Sequence, residues 1–416
     1  MTWAARGGGA LRVGWALSVL AAALPAGAQE WTRFRGPTGG GHAKADSIPI
    51  RWTPEQVNWK VKLPGSGHGS PVLWGDRIFL MSCNERTAER IVVCLNAGDG
   101  SVRWLRRYPS SRVRMNGLNN YGATTPAVDK ARLYVAWSTR ESIELRALDH
   151  EGKDLWRRDL GPHDSAHGPC TSPMLVGDTV VMTNDQKGKS CLIALEASTG
   201  KTRWSLPRAA GQAAYSTPCV RRLEEGRAEL IVTSSAAGVA AVDVETGQVN
   251  WRQAGACPQR CVSSPVIASG LVVTASGTGP RGTLVAVRPG AGKEAPVAYW
   301  FRKNAPYVPC PLVVGTRLFL FGDLGHVTCL EADTGKQLWQ ERINDTFFGS
   351  PVLAGGRIYC ISRKGNVYVL AAGEKFELLA TNPLGEKSFA TPAVAGGRMY
   401  LRTYRHLISI GGKKTD

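Results

Sequence analysis

The stretch SSPVIASGLVVTAS, Ser263 to Ser276, decides the fold. A Ser-Pro opening leads into a short apolar run, Ser269-Gly270 interrupts it, and a second apolar run follows. Proline is tolerated where a strand begins and no ladder donor is needed, and glycine supplies the positive φ that a two-residue hairpin turn requires. The string is therefore a β-hairpin. It returns as TSPMLVGDTVVMTN (Thr171 to Asn184), GSPVLAGGRIYCIS (Gly349 to Ser362) and ATPAVAGGRMYLRT (Ala390 to Thr403). Anchoring prolines at Pro71, Pro126, Pro173, Pro218, Pro265, Pro311, Pro351 and Pro392 mark eight copies of a unit of roughly 45 residues.

A second signature follows each hairpin. It reads CLNAGDGSVRW (Cys94 to Trp104), ALDHEGKDLW (Ala147 to Trp156), ALEASTGKTRW (Ala194 to Trp204), AVDVETGQVNW (Ala241 to Trp251) and CLEADTGKQLW (Cys329 to Trp339). The glycine stands four residues before the tryptophan in all of these. A third strand thus ends in an acidic-plus-Gly turn and a fourth carries a Trp. A large ring recurring once per unit is expected to dock on the next unit, burying on the order of 200 Å². Trp59, Trp104, Trp156, Trp204, Trp251 and Trp339 are read as structural on this ground.

Four short strands per unit, repeated around a circle, form an eight-bladed β-propeller of antiparallel blades. The last copy lacks the turn-plus-Trp element, whereas Val57-Asn58-Trp59-Lys60-Val61-Lys62-Leu63 stands alone before the first hairpin. An N-terminal strand completing the last blade would close the ring and remove its open edges. Two copies drift. The fifth has Pro289-Gly290-Ala291-Gly292 and a delayed Trp300, and the seventh has Gly373 with Leu379 where Trp would stand, so seven blades is the alternative count. Gly at 48 and Pro at 24, with 20% charged residues, agree with an all-β chain of short strands and tight turns.

The first residues carry Arg6 and Arg12, the apolar run Val13 to Leu24, and Pro25-Ala26-Gly27-Ala28. This is the pattern of a secretory signal peptide, 1–28, cleaved near Ala28 into the periplasm or medium. A leader 29–56, a propeller 57–412 and a tail 413–416 follow. No apolar stretch reaches the roughly 20 residues of a spanning helix. Loss of the signal takes away Arg6, Arg12 and no acid, so the formal charge falls from +18 to +16. The basic residues are scattered rather than clustered, and export makes nucleic acid an unexpected partner.

Ten cysteines in an exported chain allow disulfides, with Cys83/Cys94 and Cys257/Cys261 as candidate pairs. Cys94 and Cys329 stand where other copies have Ala147 and Ala194, which reads as a small core position. No C-x-x-C or His cluster suggests a metal site.

The Ala-x-Asp-x-x-Thr-Gly-x-x-x-Trp element at Ala241 to Trp251 is similar to the tryptophan-docking motif of pyrroloquinoline quinone (PQQ)-like propellers. The resemblance spans Asn58 to Gly411. Trp31-Thr32-Arg33-Phe34-Arg35-Gly36-Pro37 also resembles the start of exported PQQ-like repeat proteins of planctomycete-type bacteria. That superfamily includes quinone-dependent dehydrogenases and the non-catalytic propeller lipoprotein of outer-membrane barrel assembly. A dehydrogenase would show a Cys-Cys pair against PQQ, calcium held by carboxylate and Asn ligands, and an Asp base. This chain has no Cys-Cys dipeptide, and its loops entering the blades hold only Asp164, Asp345 and Glu386 as acids.

Those entering loops meet at the funnel mouth, where propellers bind. They contribute His68, Arg112, Arg114, Asn119, Asn120, Tyr121, His163, His167, Tyr215, Arg260, Tyr307, Phe347, Phe348 and Phe389. Cations and aromatic rings around one rim suit a peptide strand, a glycan or an aromatic small molecule. The sequence thus points to an exported, non-catalytic binding or scaffold protein of the cell envelope, with an envelope protein or glycan as partner and no cofactor or metal. The alternative is a PQQ- and calcium-dependent oxidoreductase.

Overall fold

A computed structural model describes residues 1–2, 30–165, 167–168, 171–279, 281–290 and 294–412. The signal segment beyond residue 2, its cleavage point near Ala28 and the tail 413–416 lie outside the described residues. No helix among the described residues is long and apolar enough to cross a membrane.

Eight antiparallel sheets form the ring. Blade 1 runs Val72–Trp74, Arg77–Cys83, Arg90–Asn96 and Val102–Tyr108, from the axis outward, and blades 2 to 7 repeat this order. Blade 8 supplies Ala393–Ala395, Arg398–Arg402 and His406–Gly411, and Val57–Lys62 pairs antiparallel with His406–Gly411 as its outer strand. The ring is thereby closed by the N-terminal strand, and the count is eight.

Alternation along the strands explains the packing. The second and third strands of blade 1 are buried on both faces because they lie between two neighbouring blades, whereas its outer strand is half-buried to exposed. Each docking ring sits at a bulge opposite a small or β-branched residue of the third strand, as Trp204 does opposite Ala194 and Trp104 opposite Cys94. The indole N–H then donates to a turn carbonyl of the next blade: Trp59 to Ala97, Trp104 to His150, Trp156 to Ala197, Trp204 to Val244 and Trp339 to Gly373. The turn must be glycine, since a Cβ on Gly247 at φ +73° would lie 2.6 Å from the Trp204 ring.

The two drifting copies keep the device with other residues. In blade 5 the residue opposite Ala286 is Tyr299, whose hydroxyl donates to the Ala332 carbonyl at 2.9 Å; Trp300 faces the other way, under Arg302. In blade 7 the position belongs to Ala380, not Leu379, and the slot beside Gly411 is filled by Ile48 from the leader.

At the axis, the residue before each anchoring proline performs a second closure. Seven of the eight main-chain N–H groups reach the side chain one blade onward: Ser70 to Thr125, Thr125 to Ser172, Thr217 to Ser264, Ser264 to the Cys310 sulfur, Cys310 to Ser350, Ser350 to Thr391, and Thr391 back to Ser70, at 2.9–3.2 Å. Burying an amide without an acceptor costs about 1–3 kcal/mol, which gives the Ser/Thr before proline a physical reason.

The leader crosses one end of this ring. Trp31 pairs with Leu73, the Val128 N–H donates to the Thr32 carbonyl, Arg35 donates to the Pro311 carbonyl at 2.7 Å, and His42–Ala43 joins blade 7 as a parallel fifth strand. Trp31, Thr32 and His42–Ala43 meet residues within or at the C-terminal ends of innermost strands, and Arg35 reaches Pro311 just before the start of one.

Four arginines are fully or nearly buried without an ion pair among the described residues: Arg33, Arg35, Arg90 and Arg402. Arg35, Arg90 and Arg402 donate to main-chain carbonyls of residues distant in sequence, and Arg106 and Arg398 do the same at blade junctions, to Gly152 and to Ala97. Part of the basic excess is thus occupied in holding the ring together.

The cysteine expectations are corrected in one case. Cys83 stands opposite Arg90 and Cys94 opposite Phe79, so the two are out of register and lie in separate clusters. All described cysteines are thiols, and Cys257 and Cys261 lie in one buried cluster.

Candidate functional site

The loops before the innermost strands surround an axial chamber of about 600 Å³. Its waist is the ring of residues from Ser70 to Thr391, and Phe34 of the leader lines it from the far end. Of the rim residues read from sequence, His68, Asn119, His167, Tyr215, Arg260, Tyr307, Phe348 and Phe389 line it.

The others do not. Arg112 and Arg114 are exposed outside it. Asn120 is buried in a network with Ser66 and Glu85, and Tyr121 lies under the Arg90 guanidinium. His163 is buried beside Asn184, and Phe347 packs edge-on against Phe321 and Tyr368 in the core. The long entering loop 109–123 folds back over blade 1, and consecutive residues at a blade entry point to opposite sides, so Phe348 faces the chamber and Phe347 the core.

Two clusters give the chamber its chemistry. On one side His68 stacks on Phe389 with centroids 4.3 Å apart, and the Arg363 guanidinium lies 4.7 Å over Phe348 and 5.6 Å from Phe389. Burial, then Arg402 and Lys387, hold His68 down to about 3, so its ring is neutral and stacks as an apolar group. On the other side Arg260 reaches the Tyr307 hydroxyl at 3.4 Å. Burial and Arg260 also lower His167.

Asp323 is the carboxylate lining the chamber among the described residues. It accepts the Tyr307 N–H at 2.7 Å and the Val308 N–H at 3.3 Å, yet burial pushes it up to about 7. The sequence reading missed it, along with Arg363, because both sit on hairpins between second and third strands rather than on entering loops. Of the acids that reading named, Asp345 is held by Asn366 and Tyr368 and Glu386 by His406, and neither lines the chamber.

A carboxyl whose folded value is raised binds its proton more tightly in the native chain. Its stabilising contribution is full below the unfolded range near 3.9 and is lost as pH rises towards about 7. Urea unfolding across that window is expected to show wild type losing stability relative to Asp323→Asn, whose difference stays flat above it. Parallel curves would place the carboxyl in solvent.

A calcium-held quinone needs several oxygen ligands, carboxylates among them, converging on one ion. No group of three or more His, Cys, Asp or Glu converges among the described residues, and Cys310 stands in the chamber without a neighbouring Cys. The donor set does not fit that centre.

A closed ring of eight docked blades around an axial chamber is the architecture of the quinoprotein-like propellers. The chain belongs to the PQQ-repeat family whose model is described as outer membrane protein assembly factor BamB, which matches residues 50–216, 141–305 and 300–402. It is 26% identical over 162 residues to a polyvinylalcohol dehydrogenase from Pseudomonas sp, a match covering 36% of this chain and only 24% of that relative's length. Among solved structures it superposes on BamB from Moraxella catarrhalis with a TM-score of 0.61 at 16% identity, covering 86% of this chain and 97% of that one. It superposes on the quinohemoprotein alcohol dehydrogenase ADHIIG from Pseudomonas putida HK5 with a TM-score of 0.66 at 13% identity, covering 93% and 81%. At such identities these structures share the fold.

Proposed function

We propose that this chain is an exported binding protein of the cell envelope, without a catalytic step of its own, whose axial chamber holds an acidic group carried on a flat or apolar frame. The observation that carries this reading is the chamber's charge: Arg260 and Arg363 line it beside the rings of Phe348, Phe389 and Tyr307, against a single carboxylate already engaged with two main-chain N–H groups. Cation–π pairs and guanidinium donors together select an anion with a face to stack. The N-terminal pattern of charge, apolar run and small residues supports export, and membership of a family described by an envelope assembly factor supports the envelope as its place. Leu118 and Leu324, exposed at the mouth on loops of blades 2 and 6, offer apolar contact to a partner protein that carries such a group.

The test is titration of the purified chain with anilinonaphthalene sulfonate, a flat anionic fluorophore, and its competition by PQQ with and without calcium. One-to-one dye binding, displaced by PQQ to the same degree whether or not calcium is present, is the expected result. Calcium-dependent PQQ binding, with electrons passed from an alcohol to an acceptor dye, would overturn it in favour of a quinone-dependent oxidoreductase.

A further inference from the structure

The segment Cys257-Pro258-Gln259-Arg260-Cys261 brackets one of the chamber's two arginines between two cysteines. Cys257 and Cys261 are 1% and 0% exposed, and both lie in the cluster joining blades 4 and 5 with Trp251 and Val285. The Cys261 thiol and then burial raise the Cys257 thiol, and Cys261 donates to the Gln259 carbonyl at 3.8 Å. Pro258 faces solvent at the turn, while Arg260 points inward to the chamber.

The main chain of this segment is tied to other chamber walls. Gly277 donates its N–H to the Arg260 carbonyl at 2.9 Å, and Tyr215 donates its N–H to the Cys261 carbonyl at 2.8 Å. A change in the path from 257 to 261 would therefore be transmitted to Arg260, Tyr307 and Tyr215 together. No other described cysteine has this geometry: Cys83 bonds Asn120, and Cys310 accepts from Ser264 in the axial ring.

We propose that Cys257 and Cys261 are a redox pair that closes to a disulfide in an oxidising compartment, and that the resulting small ring fixes Arg260 in its position on the chamber wall. The oxidant is a disulfide, either of a dithiol oxidase or of oxidised glutathione. One cysteine thiolate attacks it to give a mixed disulfide and releases one thiol; the second cysteine then displaces the other thiol. The pair loses two protons and two electrons, and the oxidant's disulfide becomes two thiols. Two thiols four residues apart, buried in one cluster, need only a local rearrangement of this segment to reach the roughly 2 Å of an S–S bond. The enclosed Pro258 restricts the segment to few conformations, so oxidation would select among them.

The full chain exported to a bacterial periplasm is unfolded in iodoacetamide without reductant, digested and weighed. The peptide holding Cys257 and Cys261 is expected unlabelled and two hydrogens lighter than its dithiol form, with Cys94 and Cys329 labelled. Label on both Cys257 and Cys261 overturns the proposal. The control of Arg260 is read separately, as affinity for anilinonaphthalene sulfonate in wild type and in the Cys257→Ser/Cys261→Ser double variant. The variant is expected to bind about fivefold more weakly, the low end of coupling between sites, and to be indifferent to dithiothreitol. Equal affinity would overturn that part. Thiol mapping needs no ligand, so failure of dye binding would count against the binding reading alone.

Discussion

Trp251→Ala is expected to lower the unfolding free energy by about 3–5 kcal/mol, the range for deleting a large buried aromatic side chain. Trp251 is 2% exposed and lies opposite Ala241, packed on Val285, Val287 and Ala295 of blade 5. Removing it leaves a void between two blades that cannot approach, because each is held at the axis by the ring of hydroxyl and thiol acceptors. Urea midpoints at constant slope measure the loss. The same experiment separates the two rings of blade 5. Tyr299→Ala removes both a docked ring and its bond to the Ala332 carbonyl, so it is expected to cost more than Trp300→Ala, whose ring is half-buried under Arg302. The reverse order would mean that Trp300 holds the junction.

The second large effect is on binding. Arg260→Gln and Arg363→Gln each keep a polar, hydrogen-bonding side chain and remove a cation from the chamber. A hydrogen bond to a charged group contributes about 1.5–3 kcal/mol, and each 1.4 kcal/mol is tenfold in affinity. Each substitution is therefore expected to weaken the binding of anilinonaphthalene sulfonate about tenfold to a hundredfold, without moving the urea midpoint by more than a surface change does. Arg112→Gln and Arg114→Gln, outside the chamber, are the controls and should leave affinity unchanged. Equal losses at all four positions would point to a diffuse surface charge rather than a chamber.

The blades were legible because each constraint repeats. Proline before the innermost strand recurs in every unit, and glycine at the hairpin and glycine four residues ahead of the docking Trp recur in most of them, each answering a backbone requirement. Val57–Lys62 was legible as the missing outer strand by the same count. Where the repeat slips, reading by spacing slips with it: a bulge in blade 5 moves the docking position from Trp300 to Tyr299, and the seventh slot is filled by Ile48, which belongs to no repeat.

The chamber was legible only in part. Entering loops were the right place to look for His68, Arg260, Tyr307, Phe348 and Phe389. Spacing alone does not tell which way a loop residue faces, and so Phe347 and Tyr121 were counted with their inward neighbours. Arg363 and Asp323 came from a second set of loops that reaches the same rim. The crossing of Trp31 to Arg35 beneath the axis left no periodic trace, because its partners are single main-chain groups scattered over blades 1, 2 and 6.

The closing strand also sets an order of events. Trp59 faces Ser409 across the last ladder, so the first ring-forming strand to be synthesised pairs with the last. Blades 1 to 7 can each acquire their own hairpins as they appear, since those contacts are local. Val57–Lys62 cannot pair until His406–Gly411 has arrived, and contacts of such long separation form slowly. During that interval the nascent protein presents two open strand edges, the feature that most invites pairing with another chain. A holding chaperone that covers strand edges would act on this interval, and the time to closure would set how much of the protein escapes aggregation.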